Sequence, residues 1–366
     1  MKSWFMVAAF AALASATAAA GDPWVSIQDG DREAVVVLAP DHPVTVLRHE
    51  TTALFGESAA HVALISYNTA AAQYQLRIID KKSRQTLAAW PVPDTPVRNL
   101  SGAVPDIVLV DDAAFVLTHS GSLGAGATPV RNERGGFYNL ARIALRTGRT
   151  TVLPIGDVVA NPRLASFDGI PVITAWGGYS VLKLSADGEG VDTVIDRAKL
   201  FSQLPEERAE RERRTLPFNA RADYVAIPGG GIFRMSKLGV LQRVANEQLG
   251  ALQPPFASLA LGPAQFHERL LAMESSRGPA IAVVRREQDA RALAVIDAAT
   301  LTENWRRDLP LAVSSWSLVA AGDDVMLGID AEKSAVVRIT RGGIETVGAL
   351  PPGAHHHARI LSAGNP

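Results

Sequence analysis

Short apolar runs that end at glycine, aspartate, asparagine or proline dominate the chain after its first 20 residues. Runs of this length and residue type are typical of β-strands, and stretches with apolar residues at helical spacing are scarce. The clearest runs are 33–38, 61–65, 106–110, 115–117, 171–175, 270–273 and 325–329. The pattern therefore predicts an all-β protein.

Two strand–turn–strand units are similar in sequence. Residues 76–80 (LRIID) are followed after a turn by 86–90 (TLAAW), and residues 294–297 (AVID) by 302–305 (TENW). An acidic residue also precedes an apolar run at intervals of roughly 50 residues, close to the length of a β-propeller blade. These residues are Asp112, Asp168, Asp223, Glu268 and Asp324. We interpret them as turn residues, because an aspartate side chain accepts hydrogen bonds from the backbone that follows it.

Residues 294–301 (AVIDAATL) resemble the bacterial YVTN-type repeats of the seven-bladed β-propeller superfamily. The resemblance implies four-stranded blades in a ring. Three N-terminal runs (24–28, 33–38 and 44–47) and one C-terminal run (358–361) would then share the seventh blade and close the ring. Six blades, with the N-terminal strands packed elsewhere, is the main alternative, and a two-domain β-sandwich is a weaker one. Propellers host many functions, so the resemblance assigns no functional residue.

The first 20 residues have the three parts of a secretory signal peptide. Lys2 gives a positive start, an apolar stretch follows, and three alanines ending at Ala20 form a cleavage site. The apolar stretch is shorter than the roughly 20 residues that a membrane-spanning helix needs. We expect cleavage near Ala20, a periplasmic or secreted chain without stable membrane insertion, and one β-propeller domain over residues 21–366.

The composition excludes several kinds of site and partner. The chain has 36 Lys and Arg against 37 Asp and Glu, a balance that argues against a nucleic-acid partner. It has no cysteine, which rules out disulfides, cysteine-ligated zinc, covalently attached haem c, iron–sulfur clusters and a cysteine nucleophile. We expect a monomer whose partner is another protein or a small ligand.

Three long segments are predicted to lie on one face of the ring. With the strands of a blade named A to D from the channel outwards, B–C loops and D–A crossovers share one face, and A–B and C–D turns share the other. Segment 118–137 fits a B–C position, 196–217 a D–A position and 274–290 another B–C position. Connections of this length in a compact domain are usually functional or disordered. Because the three segments share one face, this face, the insertion face, is the predicted ligand or partner surface.

The predicted contact residues are the cationic and aromatic side chains of these three segments. They are His119, Arg131, Arg134, Tyr138, Arg208, Arg211 and Arg285. The planar guanidinium group of arginine can donate two parallel hydrogen bonds to an anionic group. Segment 118–137 is rich in glycine and serine but lacks the Lys-Ser/Thr ending of a phosphate-binding loop. Residues 204–214 (LPEERAERERR) predict one exposed crossover helix, with acids early and arginines late.

No catalytic residue can be assigned from the sequence. His355 and His357 share a face if residues 355–357 form a strand, but two histidines fall short of the three or four ligands that zinc needs. They are weak metal candidates, and a solvated tail is the favoured interpretation. The acidic pairs at 111–112 and 323–324 are better explained as turns. The Gly-x-Ser-x-Gly nucleophile motif does not occur in the sequence.

The favoured hypothesis is an exported binding or scaffold module with its ligand or protein partner on the insertion face or over the channel mouth. The first alternative is a hydrolase or lyase at the channel mouth, dependent on a divalent metal. The second is the propeller subunit of a periplasmic dehydrogenase complex. An enzyme predicts polar or acidic groups that converge on the channel axis, whereas a binding module predicts small and apolar channel walls.

Overall fold

The structure is a computed structural model that describes fifteen stretches of the chain. They are residues 22–29, 32–39, 43–49, 54–97, 106–119, 130–156, 162–175, 181–195, 223–235, 239–253, 256–261, 266–287, 290–351, 353–354 and 358–363. These residues form seven small antiparallel sheets in a ring, so the protein is a seven-bladed β-propeller. The prediction of seven blades is confirmed.

Blade 1 is built from both ends of the chain. Its strands B, C and D are β1 (Trp24–Asp29), β2 (Arg32–Leu38) and β3 (Pro43–His49), and its innermost strand comes from the C-terminal end of the chain, β29 (Arg359–Ser362). Strands β1 and β29 pair antiparallel, with Val25 opposite Ile360. The predicted closure by three N-terminal strands and one C-terminal strand is therefore confirmed.

The other six blades follow in chain order, each running from the innermost strand outwards. Blade 2 is β4 (Leu54–Glu57), β5 (His61–Asn68), β6 (Gln73–Asp80) and β7 (Thr86–Pro91). In blade 3 a two-residue strand, β8 (Thr95–Pro96), pairs with the C-terminal end of β10; the blade itself is β9 (Ile107–Val110), β10 (Ala113–His119), β11 (Tyr138–Ala144) and β12 (Thr150–Ile155). Blade 4 is β13 (Pro162–Phe167), β14 (Ile170–Ala175), β15 (Val181–Leu184) and β16 (Val191–Ile195).

Blades 5 to 7 complete the ring. Blade 5 is β17 (Asp223–Ile227), β18 (Gly231–Met235), β19 (Val240–Ala245) and β20 (Ser258–Ala260). Blade 6 is β21 (Phe266–Ser275), β22 (Gly278–Glu287), β23 (Ala290–Asp297) and β24 (Glu303–Leu309). Blade 7 is β25 (Val319–Gly322), β26 (Val325–Asp330), β27 (Ala335–Ile339) and β28 (Ile344–Ala349), and a 3₁₀ turn (Ser315–Ser317) precedes it.

The hydrophobic core is divided among the interfaces between blades. Seven buried clusters are present, and each joins residues of two neighbouring blades. Blades 4 and 5, for example, share the cluster around Phe167, Val172, Tyr224 and Ile232. Both faces of each sheet are therefore covered, which explains why the strands appear in the sequence as continuous apolar runs rather than alternating ones.

The predicted turn residues are confirmed in some blades and wrong in others. Asp168 and Asp324 lie in A–B turns with φ of 45° and 56°, a conformation that aspartate tolerates better than most residues. Asp112 also lies in an A–B turn. Asp223 and Glu268 instead lie within the innermost strands β17 and β21. The A–B turns of blades 5 and 6 use Gly229-Gly230 and Ser276-Arg277, so no acidic residue marks them.

The prediction that residues 274–290 form a long loop is also wrong. They comprise a tight turn, the ten-residue strand β22 and another tight turn. Strand β22 ends in the charged residues Arg285, Arg286 and Glu287, and these residues led to the prediction of a surface loop. The predicted helix at 204–214 and the candidate metal pair His355 and His357 lie outside the described residues, as does the predicted signal peptide.

Candidate ligand-binding channel

A cavity of about 290 Å³ occupies the centre of the ring. The innermost strands of blades 1, 2, 4, 5, 6 and 7 supply its walls, so ring closure creates it. Most of the lining is small or apolar; examples are Ala165, Ala226, Leu271, Ala272, Ala320 and Leu361. This is the channel that the sequence analysis associated with a binding module.

Three polar side chains line the cavity at the interface of blades 4 and 5. They are Arg163 on β13, Thr174 on β14 and Tyr224 on β17. Arg163 and Thr174 lie directly opposite each other in adjacent strands, and β17 packs against both strands. All three side chains are buried, and Arg163 is only 7% exposed. Three residues with polar side chains therefore interrupt one part of a mostly apolar wall.

Arg163 and Tyr224 are the second residues of their strands, and an innermost strand runs from its D–A crossover towards its A–B turn. The three polar side chains therefore lie at the end of the cavity that faces the insertion face.

A second arginine of the cavity wall forms an ion pair across blade 2. The guanidinium of Arg359, in blade 1, lies 2.9 Å from a carboxylate oxygen of Asp106, at the start of blade 3. Between them, Phe55 of blade 2 donates its backbone N–H to the same carboxylate, and its ring lies 5.1 Å from the guanidinium carbon. The ion pair thus connects three consecutive blades at the channel.

The opposite end of the cavity carries the carboxylate of Glu57. Glu57 forms an ion pair with Lys81 at 2.9 Å. Both residues also line a shallower cavity of about 330 Å³ on the face of the A–B turns, together with Ala320, Ala321 and Ala363. The two ends of the channel therefore differ in charge, with arginine at the insertion face and a paired glutamate at the other.

Four of the residues predicted for the insertion face lie in or beside the connection between β10 and β11. His119 and Tyr138 lie opposite each other at the ends of β10 and β11, with ring centroids 4.9 Å apart. Burial lowers the pKa of His119 below its ordinary value, which favours the neutral imidazole. Arg131 lies over the ring of Phe137 at 4.6 Å, and Arg134 is exposed in the same connection. These four residues do not line the central cavity.

The other predicted contact residues do not join this group. Arg208 and Arg211 lie outside the described residues. Arg285 lies within β22 and is 4% exposed, so it is buried inside blade 6 and its assignment to a surface loop was wrong.

A second feature of the insertion face is the crossover between blades 6 and 7. Trp316 and Leu311 project from it and are 46% and 53% exposed. Arg269 donates to carbonyl oxygens on both sides of Trp316, at 2.5 and 2.7 Å, and Arg291 donates to two further carbonyls of the crossover. Arg291 is itself held by Glu268 at 2.8 Å. The exposed indole therefore belongs to a firmly held segment.

Sequence reasoning missed the polar side chains of the cavity. Arg163 stands in a mostly apolar strand, Pro162–Phe167, and a charged residue inside that strand was the available signal. Thr174 and Tyr224 carry no such signal. In the described residues no group of three His, Asp or Glu side chains is placed to hold a metal ion. In the same part of the chain no helix is long and apolar enough to cross a bilayer.

No family model matches the sequence, and no curated protein matches it significantly. The solved structures that are similar in fold include three that align over more than 90% of this chain. The β-propeller domain of Cps50 (Swd1) from Myceliophteria thermophila aligns with a TM-score of 0.51 and 8% identity, over 91% of this chain and 90% of that one. A protein of unknown function from Desulfotomaculum acetoxidans aligns with a TM-score of 0.51 and 11% identity, over 93% and 99%.

The third is a puromycin-hydrolyzing peptidase from Mycobacterium tuberculosis, with a TM-score of 0.50 and 16% identity over 91% of this chain. The chain spans about half the length of that peptidase, 54%. At identities this low, the likeness shows the β-propeller fold alone.

Proposed function

We propose that the protein is an exported binding module that takes its ligand in the central channel from the insertion face. The observation that carries the proposal is the central cavity itself, with small and apolar walls and a group of polar side chains at one end. Concave, mostly apolar cavities with a few convergent polar groups are the usual form of small-molecule sites.

The lining chemistry supports binding over acid–base catalysis. Glu57 is the one carboxylate among the described lining residues, and it is paired with Lys81 at the far end of the channel. Acid–base catalysis on a bound substrate requires a titratable group within hydrogen-bond reach of the reacting atom. Arg163, Thr174 and Tyr224 instead make one part of the wall polar, which would orient a ligand in the cavity.

Filling the cavity tests the proposal. Ala272 lines the cavity, so Ala272→Phe would occupy part of its volume, whereas Ala290→Phe places the same side chain at an exposed position. The uncharged fluorescent probe N-phenyl-1-naphthylamine reports on apolar cavities. We expect one saturable site in the wild type and in Ala290→Phe, and loss of that site in Ala272→Phe.

Native mass spectrometry of protein purified from its own cellular compartment adds a second measurement. We expect a co-purifying small molecule in the wild type and its depletion in Ala272→Phe. Equal probe binding in the two phenylalanine variants, with both folded by circular dichroism, would show that the cavity is not the site.

A further inference from the structure

We propose that the ligand of the central cavity is a small zwitterion with an apolar tail, the chemistry of an α-amino acid with an apolar side chain. The tail lies in the central cavity, and the charged head lies against the ion pair of Glu57 and Lys81. This inference rests on the proposed function, because it needs the cavity to hold a ligand, but it does not depend on the side from which that ligand enters.

The ion pair lies at the boundary of two cavities. Glu57 lines the central cavity of about 290 Å³, and with Lys81 it also lines the shallower cavity of about 330 Å³ on the face of the A–B turns. Ala320 belongs to both walls as well. A charged head in the shallower cavity can therefore extend an apolar tail past Glu57 and Ala320 into the central one.

The ion pair keeps hydrogen-bonding capacity for a ligand. Nζ of Lys81 lies 2.9 Å from Oε2 of Glu57, and among the described residues neither side chain has a further polar partner. An ammonium carries three N–H donors, and a carboxylate accepts at both oxygens. Two donors of Lys81 and Oε1 of Glu57 can therefore bind a ligand while the pair stays intact. Burial holds the lysine in place, since its side chain is 8% exposed.

The alternating charges favour a zwitterion over a simple ion. A ligand carboxylate on Lys81 lies close to Glu57, and a ligand ammonium on Glu57 lies close to Lys81, so either group alone meets a like charge. A head with both groups places each charge beside opposite ones. In an α-amino acid the two groups are bonded to one carbon, so they lie about as close together as the charges of the ion pair.

The rest of the central cavity defines the tail. Its wall includes Ala165, Ala226 and Leu271, whose side chains offer contact but no hydrogen bonds. Arg359, in the same wall, is already paired with Asp106. A volume of about 290 Å³ is near the lower limit for small-molecule pockets, which excludes a folded partner. A phenyl or branched alkyl group meets these requirements.

Three ligands with one tail and different heads test the inference. L-Phenylalanine carries both charges, phenethylamine lacks the carboxylate, and 3-phenylpropanoate lacks the ammonium. Isothermal titration calorimetry at pH 7 measures their affinities for the mature chain after dialysis. The variants are Glu57→Gln, Lys81→Met and, as a matched control, Lys82→Met. Lys82 is exposed and lines neither cavity.

We expect the wild type and Lys82→Met to bind L-phenylalanine about five- to tenfold more tightly than either analogue, as expected for a charge-assisted hydrogen bond at a partly exposed site. Glu57→Gln should lose the preference over 3-phenylpropanoate and keep the preference over phenethylamine. Lys81→Met should show the reverse pattern. A general loss of structure would weaken all three ligands together, so the crossed pattern is specific to the two contacts.

The other outcomes separate this inference from the proposed function. Equal affinities for the three ligands in the wild type, or no binding of L-phenylalanine where N-phenyl-1-naphthylamine binds, would overturn the zwitterion and leave the cavity as a ligand site. An equal loss of all three ligands in both folded variants would do the same. If a variant does not fold, the wild-type series and the other variant decide. Absence of any binding that Ala272→Phe removes would overturn both proposals.

Discussion

The indole Nε1 of Trp305 donates a hydrogen bond to Oδ1 of Asp324 at 2.8 Å. Trp305 lies on the outermost strand of blade 6, and Asp324 lies in the A–B turn of blade 7, so the bond joins neighbouring blades on the face of the A–B turns. The other oxygen of Asp324 accepts from the backbone N–H of Ser276, at 3.0 Å, and from its hydroxyl. One carboxylate thus connects blades 6 and 7 on the face of the A–B turns.

This connection predicts an acid-sensitive contribution to stability. Partial burial acts to raise the pKa of Asp324, but the hydrogen bonds from Ser276 and Trp305 outweigh it and hold that pKa below its ordinary value of 3.8. A carboxyl whose pKa is lower in the folded state stabilises the fold above its ordinary pKa, and the stabilisation is lost as the pH falls through the folded value.

Asp324→Asn should therefore be destabilised at pH 7 and approach the wild type as the pH falls below 3.8. Urea unfolding of both proteins across that pH range measures the difference in the free energy of unfolding. Trp305→Phe should lower stability by about 1–3 kcal/mol, the usual cost of losing a hydrogen bond to a charged group. A pH-independent difference for Asp324→Asn would contradict the assignment.

A second tryptophan makes the equivalent connection between blades 2 and 3. Trp90 donates its indole N–H to the carbonyl of Leu145 at 3.2 Å, and its ring covers Gly148. A Cβ on Gly148 would lie 2.4 Å from the indole, and the residue has a φ of +70°. Gly148→Ala should therefore lower the free energy of unfolding by about 1–3 kcal/mol, from overpacking and backbone strain.

Gly343→Ala is the matched control for that substitution. Gly343 lies at a comparable C–D turn in blade 7, and a Cβ there would meet nothing within 4 Å. Its melting temperature should stay close to that of the wild type. Equal melting temperatures for the two alanine variants would show that the indole moves away at little cost.

The buried ion pair between Arg359 and Asp106 should contribute strongly to the stability of the ring. Removing one partner of a buried pair costs about 3–5 kcal/mol, because the other charge is left buried. We expect losses of that order for Arg359→Met and for Asp106→Asn in chemical denaturation. The double variant should lose clearly less than the sum, and strict additivity of the two losses would argue against a direct coupling.

Export is a prediction that fractionation can test. Deletion of residues 2–20 should keep the protein in the cytoplasm, and the full-length chain should yield a mature protein that begins at Gly21. Intact-mass measurement of each cellular fraction checks both statements. A mature mass that includes residues 1–20 in the exported fraction would contradict cleavage at Ala20.

Much of the fold could be predicted because its turns carry local chemical signals. Asp297 accepts from the backbone N–H of Thr300 at 2.7 Å, and Asp80 accepts from that of Ser83 at 2.6 Å, in the two hairpins that were most alike in sequence. The regular interval between acidic turn residues could not be followed where a turn contains glycine instead of aspartate, as in the turn at Gly229-Gly230. Strand β22 was mistaken for a loop because it ends in charged residues.

The candidate site could not be predicted in the same way. Arg163, Tyr224 and Arg359 are far apart in the sequence and line the same cavity only because blades 4, 5 and 1 surround one axis. The spacing of these residues in the sequence does not predict that they line one cavity, because this depends on how many blades close the ring. The residues of the insertion face were easier to find because His119 and Tyr138 flank one connection.

The pairing of β29 with β1 joins strands that are far apart in the sequence. Arg359, Ile360 and Leu361 belong to β29 and form part of the innermost wall of the cavity. A chain shortened before Arg359 would have neither this wall nor a complete blade 1. Because pairings between sequence-distant strands form slowly, we expect the cavity to be completed late in folding.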